Sequence, residues 1–523
     1  MLRANALLVV VLAGCATVPP PSTPGGAAAR APAPARAEEV QVLFLEPVDD
    51  AGPAGLPLLR ALPDRDPRLA ECRRLLDNEA ARFIRRLIAA AERKADPTLP
   101  ANAPPPALPI VLKKGGNHAR TGYRLALRGK VVERPRAPYV LLECTAARLS
   151  GTLLHEGGHV LHEVATRGRR AKAPWTATVH STFAVTDPIT ALSEGFAIHL
   201  ETLWGHFGSD PERRAFYHRL EPRFGDRGSS AGEFYSPVRD LQTFSQTFAR
   251  YHAVRDGLPV FAGNVFRSEY LRSQYDPSRD MATLKRPNAI IASEGVVASV
   301  LFWIVVGSAG QDAKPGGGLD QPALAAAEAR LLDALFALPG EPPGPFRPDI
   351  LDLVAAYADL GPRERRVAVS RFLDLTRAVT ARPRVAALWA RLYRAALTVD
   401  RAQTMTLLRE LEQLRAEAAE AAEKDPGALR GGIGPVVPVR VDGRELRIVG
   451  LGEAFPMELD LNAAGPAEWA AMPRLDEALR ARARAELDKG PFQSLSDFER
   501  RIGVPAAKLG LSRAGPSAGR SGR

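Results

Sequence analysis

Cysteine is nearly missing: the 523 residues hold three, Cys15, Cys72 and Cys144. That is too few for a disulfide framework. Long apolar runs are missing as well. The two that stand out, residues 6–13 and 296–307, are too short for a mature membrane span. The second follows closely on Glu294 and reads as a buried core helix. Lysine is scarce beside arginine, and no long basic run is interleaved with aromatics. The net charge of +11 therefore reads as compositional bias as much as a surface for nucleic acid or anionic lipid. Histidine is sparse too, at nine residues, so two of them four apart beside a glutamate is a pattern that chance seldom makes.

What is present supports folded domains. Apolar residues make up 46% of the chain, enough for substantial cores. The chain opens with Met1-Leu2-Arg3, an apolar run, and then Leu12-Ala13-Gly14-Cys15. This resembles the lipobox of bacterial lipoproteins. The resemblance implies a signal peptide over 1–14, acylation of Cys15, and, with Ala16 rather than Asp next, retention at the outer membrane of the cell envelope. Residues 15–38, rich in Pro, Ala and Gly, read as a tether holding the folded part off the membrane. Cys72 and Cys144 remain; an oxidising periplasm permits them to pair, but free thiols are the expectation, because their separation in space is not legible from sequence.

The first folded unit, residues 39–310, begins with strands expected at 40–47, 122–127 and 138–143. One Arg-rich amphipathic helix is expected over 67–94, and a proline-rich connection over 97–109. A helix over 146–166 carries "GTLLHEGGHVLHE", residues 151–163. Asp187-Pro188 marks the start of another, since Asp caps free amides and Pro suits the first turn.

His155 and His159, four apart, share one helix face, and Glu156 projects beside them. A catalytic zinc takes three protein ligands and keeps an open position. Downstream, Ser193-Glu194-Gly195-Phe196-Ala197 lies on the helix that Asp187-Pro188 opens. Together these stretches resemble the gluzincin metallopeptidases, which join His-Glu-x-x-His to a later glutamate in an [Asn/Ser]-Glu-Gly-x-Ala setting. The resemblance covers about residues 140–210 and implies a zincin-like α+β fold, mainly helical, with a small edge sheet. It implies that His155, His159 and Glu194 hold Zn2+, that Glu156 is the general base on the attacking water, and that a peptide or protein is the substrate. A Tyr or His usually steadies the oxyanion in this class; Tyr235, Tyr251, His252 and Tyr270 are candidates, with Tyr251 and Tyr270 preferred.

Competing readings are weaker. His162 shares the face of His155, but the glycine and third histidine of the metzincin pattern are missing, so it is expected as an outer partner or at the surface. His180, His199 and His206 are expected on helix surfaces. Glu294, in "ASEGVVAS", echoes the Glu194 setting at far longer spacing and is expected to line the cleft, if not to act as a ligand. Gly157 and Gly158 inside the helix cost roughly 1 kcal/mol each against Ala, tolerable if a strand or substrate passes close. Residues 228–232 match Gly-x-Ser-x-Gly, but no apolar strand precedes them.

Beyond a linker lie a helical region at 320–428, a β-hairpin at 435–450 turning at Asp442-Gly443, a compact unit at 455–512 and a tail at 513–523. The compact unit resembles the helix-hairpin-helix modules of competence-type DNA-binding proteins through Asp460-Leu461-Asn462-Ala463-Ala464 and Gly490-Pro491-Phe492. The family's hairpin glycines are replaced by Pro473-Arg474-Leu475-Asp476, and Asp476 repels phosphate, so nucleic acid is a doubtful partner despite Arg480, Arg482 and Arg484. The leading expectation is a lipid-anchored zinc metallopeptidase. The alternatives are a non-catalytic envelope binding protein and a DNA-binding lipoprotein, both using the same folds as scaffold.

Overall fold

The structure is a computed structural model, and it describes residues 39–49, 55–98, 107–114, 117–127, 129–144, 146–166, 185–207, 249, 284–310, 321–339, 347–448, 453–472 and 474–514. The chain is mixed α/β and mostly helical, with two small sheets.

Strands β1 (Val42–Asp49) and β2 (Leu58–Ala61) come first, followed by helices α1 (Arg68–Leu76) and α2 (Glu79–Ala95). The single helix expected over 67–94 is thus two. The break falls at Asp77-Asn78, where the Asn78 side chain accepts a hydrogen bond from Ala81 N at 2.8 Å and caps the second helix. Then come β3 (Leu108–Leu112), β4 (Asn117–Leu127) and β5 (Lys130–Leu142). The five strands close on themselves in the order β1-β2-β4-β5-β3, more than the small edge sheet expected. Alternation of side chains gives the sheet two apolar faces. Leu45, Leu59, Val111, Tyr123 and Tyr139 form a small core of their own, while Phe44, Ile110, Val140 and Leu142 join the main core.

Helix α3 (Ala146–Thr166) follows β5 directly, and a Cys72–Cys144 disulfide ties its base to α1. Helix α4 (Pro188–Phe207) starts as expected: Asp187 Oδ1 accepts from Ile189 N at 3.0 Å and Thr190 N at 2.9 Å. Short α5 (Pro287–Ile291) leads into α6 (Glu294–Ser308). Helix α6 is apolar all round, and its environment matches: it is buried between α4 and the helices that follow. No described helix is long and apolar enough to cross a membrane.

Helices α7 (Gln321–Ala337), α8 (Ile350–Ala358), α9 (Pro362–Thr376), α10 (Arg384–Leu397) and α11 (Arg401–Lys424) make the helical region. It is not a detached accessory, because α7 packs on α3 and α6, and α9 on α6.

The last sheet is β6 (Pro438–Ile448), β7 (Glu453–Asp460) and β8 (Leu511–Arg513), in the order β7-β6-β8, with α12 (Pro466–Ala471), α13 (Glu477–Lys489) and α14 (Leu495–Ile502) between β7 and β8. The hairpin expected to turn at Asp442-Gly443 does not form. Strand β6 runs straight through those residues as a bulge, and its antiparallel partner is β7. Gly443 takes φ +72° there, and Asp442 N bonds to Gly510 O at 2.8 Å, which holds the bulge against β8. This unit is bolted to the front of the molecule. Asn288 donates to Gly434 O at 3.1 Å and Asp460 Oδ2 at 3.1 Å, and accepts from Gly434 N at 3.0 Å. Close by, Lys285 is fully buried and donates to Ser293 Oγ at 3.0 Å; burial pulls its pKa down to about 7, against the opposing pull of Glu468 and Glu294.

Candidate metal centre

The centre is made by two crossing helices. Three glycines let them and their neighbours approach, and they answer the question raised by Gly157 and Gly158. A Cβ at Gly157 would meet Ile84 Cγ1 of α2 at 2.4 Å, and one at Gly158 would meet Ala197 Cα of α4 at 2.8 Å. Packed helices, not a strand or a substrate, fill the space. On the far side of α4 a Cβ at Gly195 would meet Val297 Cγ1 of α6 at 2.5 Å.

That closeness brings the expected residues together. His155 Nε2 lies 3.4 Å and His159 Nε2 3.3 Å from the same atom, Glu194 Oε2. The two imidazole rings stand edge to face with centroids 4.9 Å apart. One donor atom from each of the three residues lies within 4.8 Å of the others, and this is the one such cluster among the described residues. Two imidazole nitrogens and a carboxylate oxygen are a donor set that could hold a divalent transition-metal ion, zinc among them.

Charge in the site follows from this geometry. Burial pushes the His155 pKa down, but the carboxylates of Glu194 and Glu201 beside the ring overcome it and hold the pKa well above the ordinary histidine value. Glu156 is buried, which pushes its carboxyl above the usual carboxylate range, partly offset by His155 and His159. Its Oε2 accepts from the backbone N–H of Ala119 in β4 at 2.6 Å, so the sheet sets the direction of this side chain.

Two partners of the centre escaped the sequence reading. His155 Nδ1 lies 3.6 Å from Glu201 Oε2, and His159 Nδ1 lies 3.2 Å from Ser193 Oγ. Both residues are on α4. Glu201 lies seven residues after Glu194, two helical turns along the same face, but that spacing does not by itself mark it as a partner of His155.

The other histidines depart from expectation. His199 is not on a surface: it is fully buried, with Nε2 3.1 Å from Glu328 Oε1 of α7. His162 is also buried, its ring centroid 6.2 Å from that of Phe196, and it is not part of the donor cluster. The His206 side chain and all of His180 lie outside the described residues. Glu294 does not join the cluster; it is the buried first residue of α6, where it favours the helix dipole. The oxyanion candidates Tyr251 and Tyr270, with Tyr235 and His252, lie outside the described residues, as do residues 228–232 and Cys15.

At the C-terminal unit, Asp476 caps α13, its Oδ1 accepting from Leu479 N at 2.8 Å. The amides that would receive a phosphate at that helix start thus face a carboxylate of the chain itself. No family model, no curated protein and no solved structure matches the chain.

Proposed function

We propose that the chain is a zinc-dependent metallopeptidase of gluzincin type, with a zincin-like core, anchored by lipid on Cys15 to the bacterial cell envelope. The observation that supports this best is the convergence of His155 Nε2, His159 Nε2 and one Glu194 oxygen from two crossing helices, with Glu156 beside them. His155, His159 and Glu194 are the residues that would hold the metal. Bound there, zinc would supply Lewis acidity toward a carbonyl oxygen and a water molecule.

The chain's own residues supply the rest. Glu156 takes a proton from the attacking water and returns it to the nitrogen of the departing amine, so the carboxylate is restored at the end of the cycle. Its burial raises its basicity for that purpose, and the Ala119 amide holds one of its two oxygens. A DNA-binding role for the C-terminal unit is disfavoured by the Asp476 cap, and its bonds to Asn288 support a bracing role toward the front half.

The test is hydrolysis of a mixed peptide library by the zinc-loaded chain, read by mass spectrometry, with Glu156→Gln as control. Cleavage by the parent and none by the variant is expected. Stoichiometric zinc without any cleavage would move the assignment to the non-catalytic binding protein.

A further inference from the structure

Both imidazoles turn Nε2 toward Glu194, so each presents Nδ1 on the opposite side of its ring. Neither Nδ1 is left to water alone. Glu201 Oε2 stands 3.6 Å from that of His155, an ion-pair distance just beyond hydrogen-bond length, and Ser193 Oγ stands 3.2 Å from that of His159. Ser193 precedes Glu194 by one residue and Glu201 follows it by seven, on the same helix. One helix thus carries the third donor and an outer partner for each of the other two.

An imidazole that gives its Nε2 lone pair to a metal has a single N–H, at Nδ1. An acceptor at Nδ1 draws that proton to its own side and leaves the Nε2 lone pair facing the metal position. It also fixes the rotation of the ring. We infer that Glu201 and Ser193 are positioning residues of the metal centre, holding His155 and His159 in the tautomer and orientation that bind metal. This rests on the zinc reading above. The two are unequal: Glu201 is an anionic acceptor and strengthens the donor power of His155, while the Ser193 hydroxyl is neutral and acts mainly on orientation.

The inference is tested on the full chain by chelator competition for zinc, with the parent, Glu201→Gln, Glu201→Ala and Ser193→Ala. Melting of each metal-free protein and the absorption spectrum of each cobalt-loaded form are recorded alongside. Glu201→Gln and Glu201→Ala are expected to weaken zinc binding about 10- to 100-fold, with metal-free melting unchanged. The cobalt bands shift, because the donor strength of His155 has changed. Ser193→Ala weakens binding less than either. Zinc affinity within about twofold of the parent in both Glu201 variants overturns the inference and leaves the zinc reading intact. So does a weakening matched by loss of the metal-free fold in both, which would make Glu201 a packing residue only. A folded parent that takes up no zinc overturns the zinc reading itself, whatever the variants do.

Discussion

Replacing Gly158 by alanine tests the two-helix architecture of the centre. The added methyl would meet Ala197 Cα at 2.8 Å and Leu200 Cδ1 at 3.3 Å. The nearer atom is backbone, so no rotamer change relieves it, and carbon atoms prefer about 3.5–4.0 Å. Helices α3 and α4 must therefore part by roughly 1 Å. Two energies compete. Alanine in a helix interior gains about 1 kcal/mol over glycine. Overpacking a close contact costs about 1–3 kcal/mol. The expected net is a loss of about 0–2 kcal/mol where an unobstructed site would gain 1. The metal is the sharper reporter, because ligand distances tolerate only about 0.2 Å and Glu194 rides on the helix that moves. Zinc affinity should fall at least about tenfold, equivalent to 1.4 kcal/mol. The assay is chelator competition beside melting of the metal-free protein. A Gly158→Ala chain that is more stable by about 1 kcal/mol and binds zinc like the parent would refute the packing argument.

Other outcomes follow from the same geometry. Glu156 works only when ionised and burial raises its pKa, so kcat/KM should fall as pH drops through a value above the ordinary carboxylate range, checked by a pH–rate profile. Asp460 has its pKa raised to about 6 by burial from 3.8. The folded state then binds its proton more tightly than the unfolded state, so stability should decline as pH rises from about 4 to 6, by about 3 kcal/mol. Denaturation midpoints across that window test it, and Asp460→Asn should flatten the slope. Reducing Cys72–Cys144, whose partners are 72 residues apart, should lower stability by about 2–4 kcal/mol, read as the urea midpoint with and without reductant. Duplex DNA should bind no tighter than about micromolar at physiological salt, measured by fluorescence anisotropy, since Asp476 holds the α13 start.

The candidate centre was legible where chemistry and local periodicity coincide. A spacing of four fixes His155 and His159 on one helix face whatever the tertiary fold, and Asp187-Pro188 marks the α4 start through backbone chemistry alone. Glu201 was not legible, because its role exists only once α3 and α4 cross at a given height. His199 failed in the same way: its buried partner Glu328 lies 129 residues away. Strands β2 and β3 were missed because they are short and the second emerges from a proline-rich stretch, so pairing in the closed sheet decides them rather than propensity. The Asp442-Gly443 turn misled because a positive-φ glycine serves a bulge as well as a hairpin, and only the β7 register distinguishes the two.

The central claim is a three-ligand zinc centre. Its most direct test is the metal content of the purified full-length chain by mass spectrometry, beside Glu194→Ala. The account predicts about one zinc per parent chain and far less in the variant, as removal of one of three ligands demands. A folded parent without zinc under zinc-replete conditions, or a variant that keeps the parent's zinc, would contradict it.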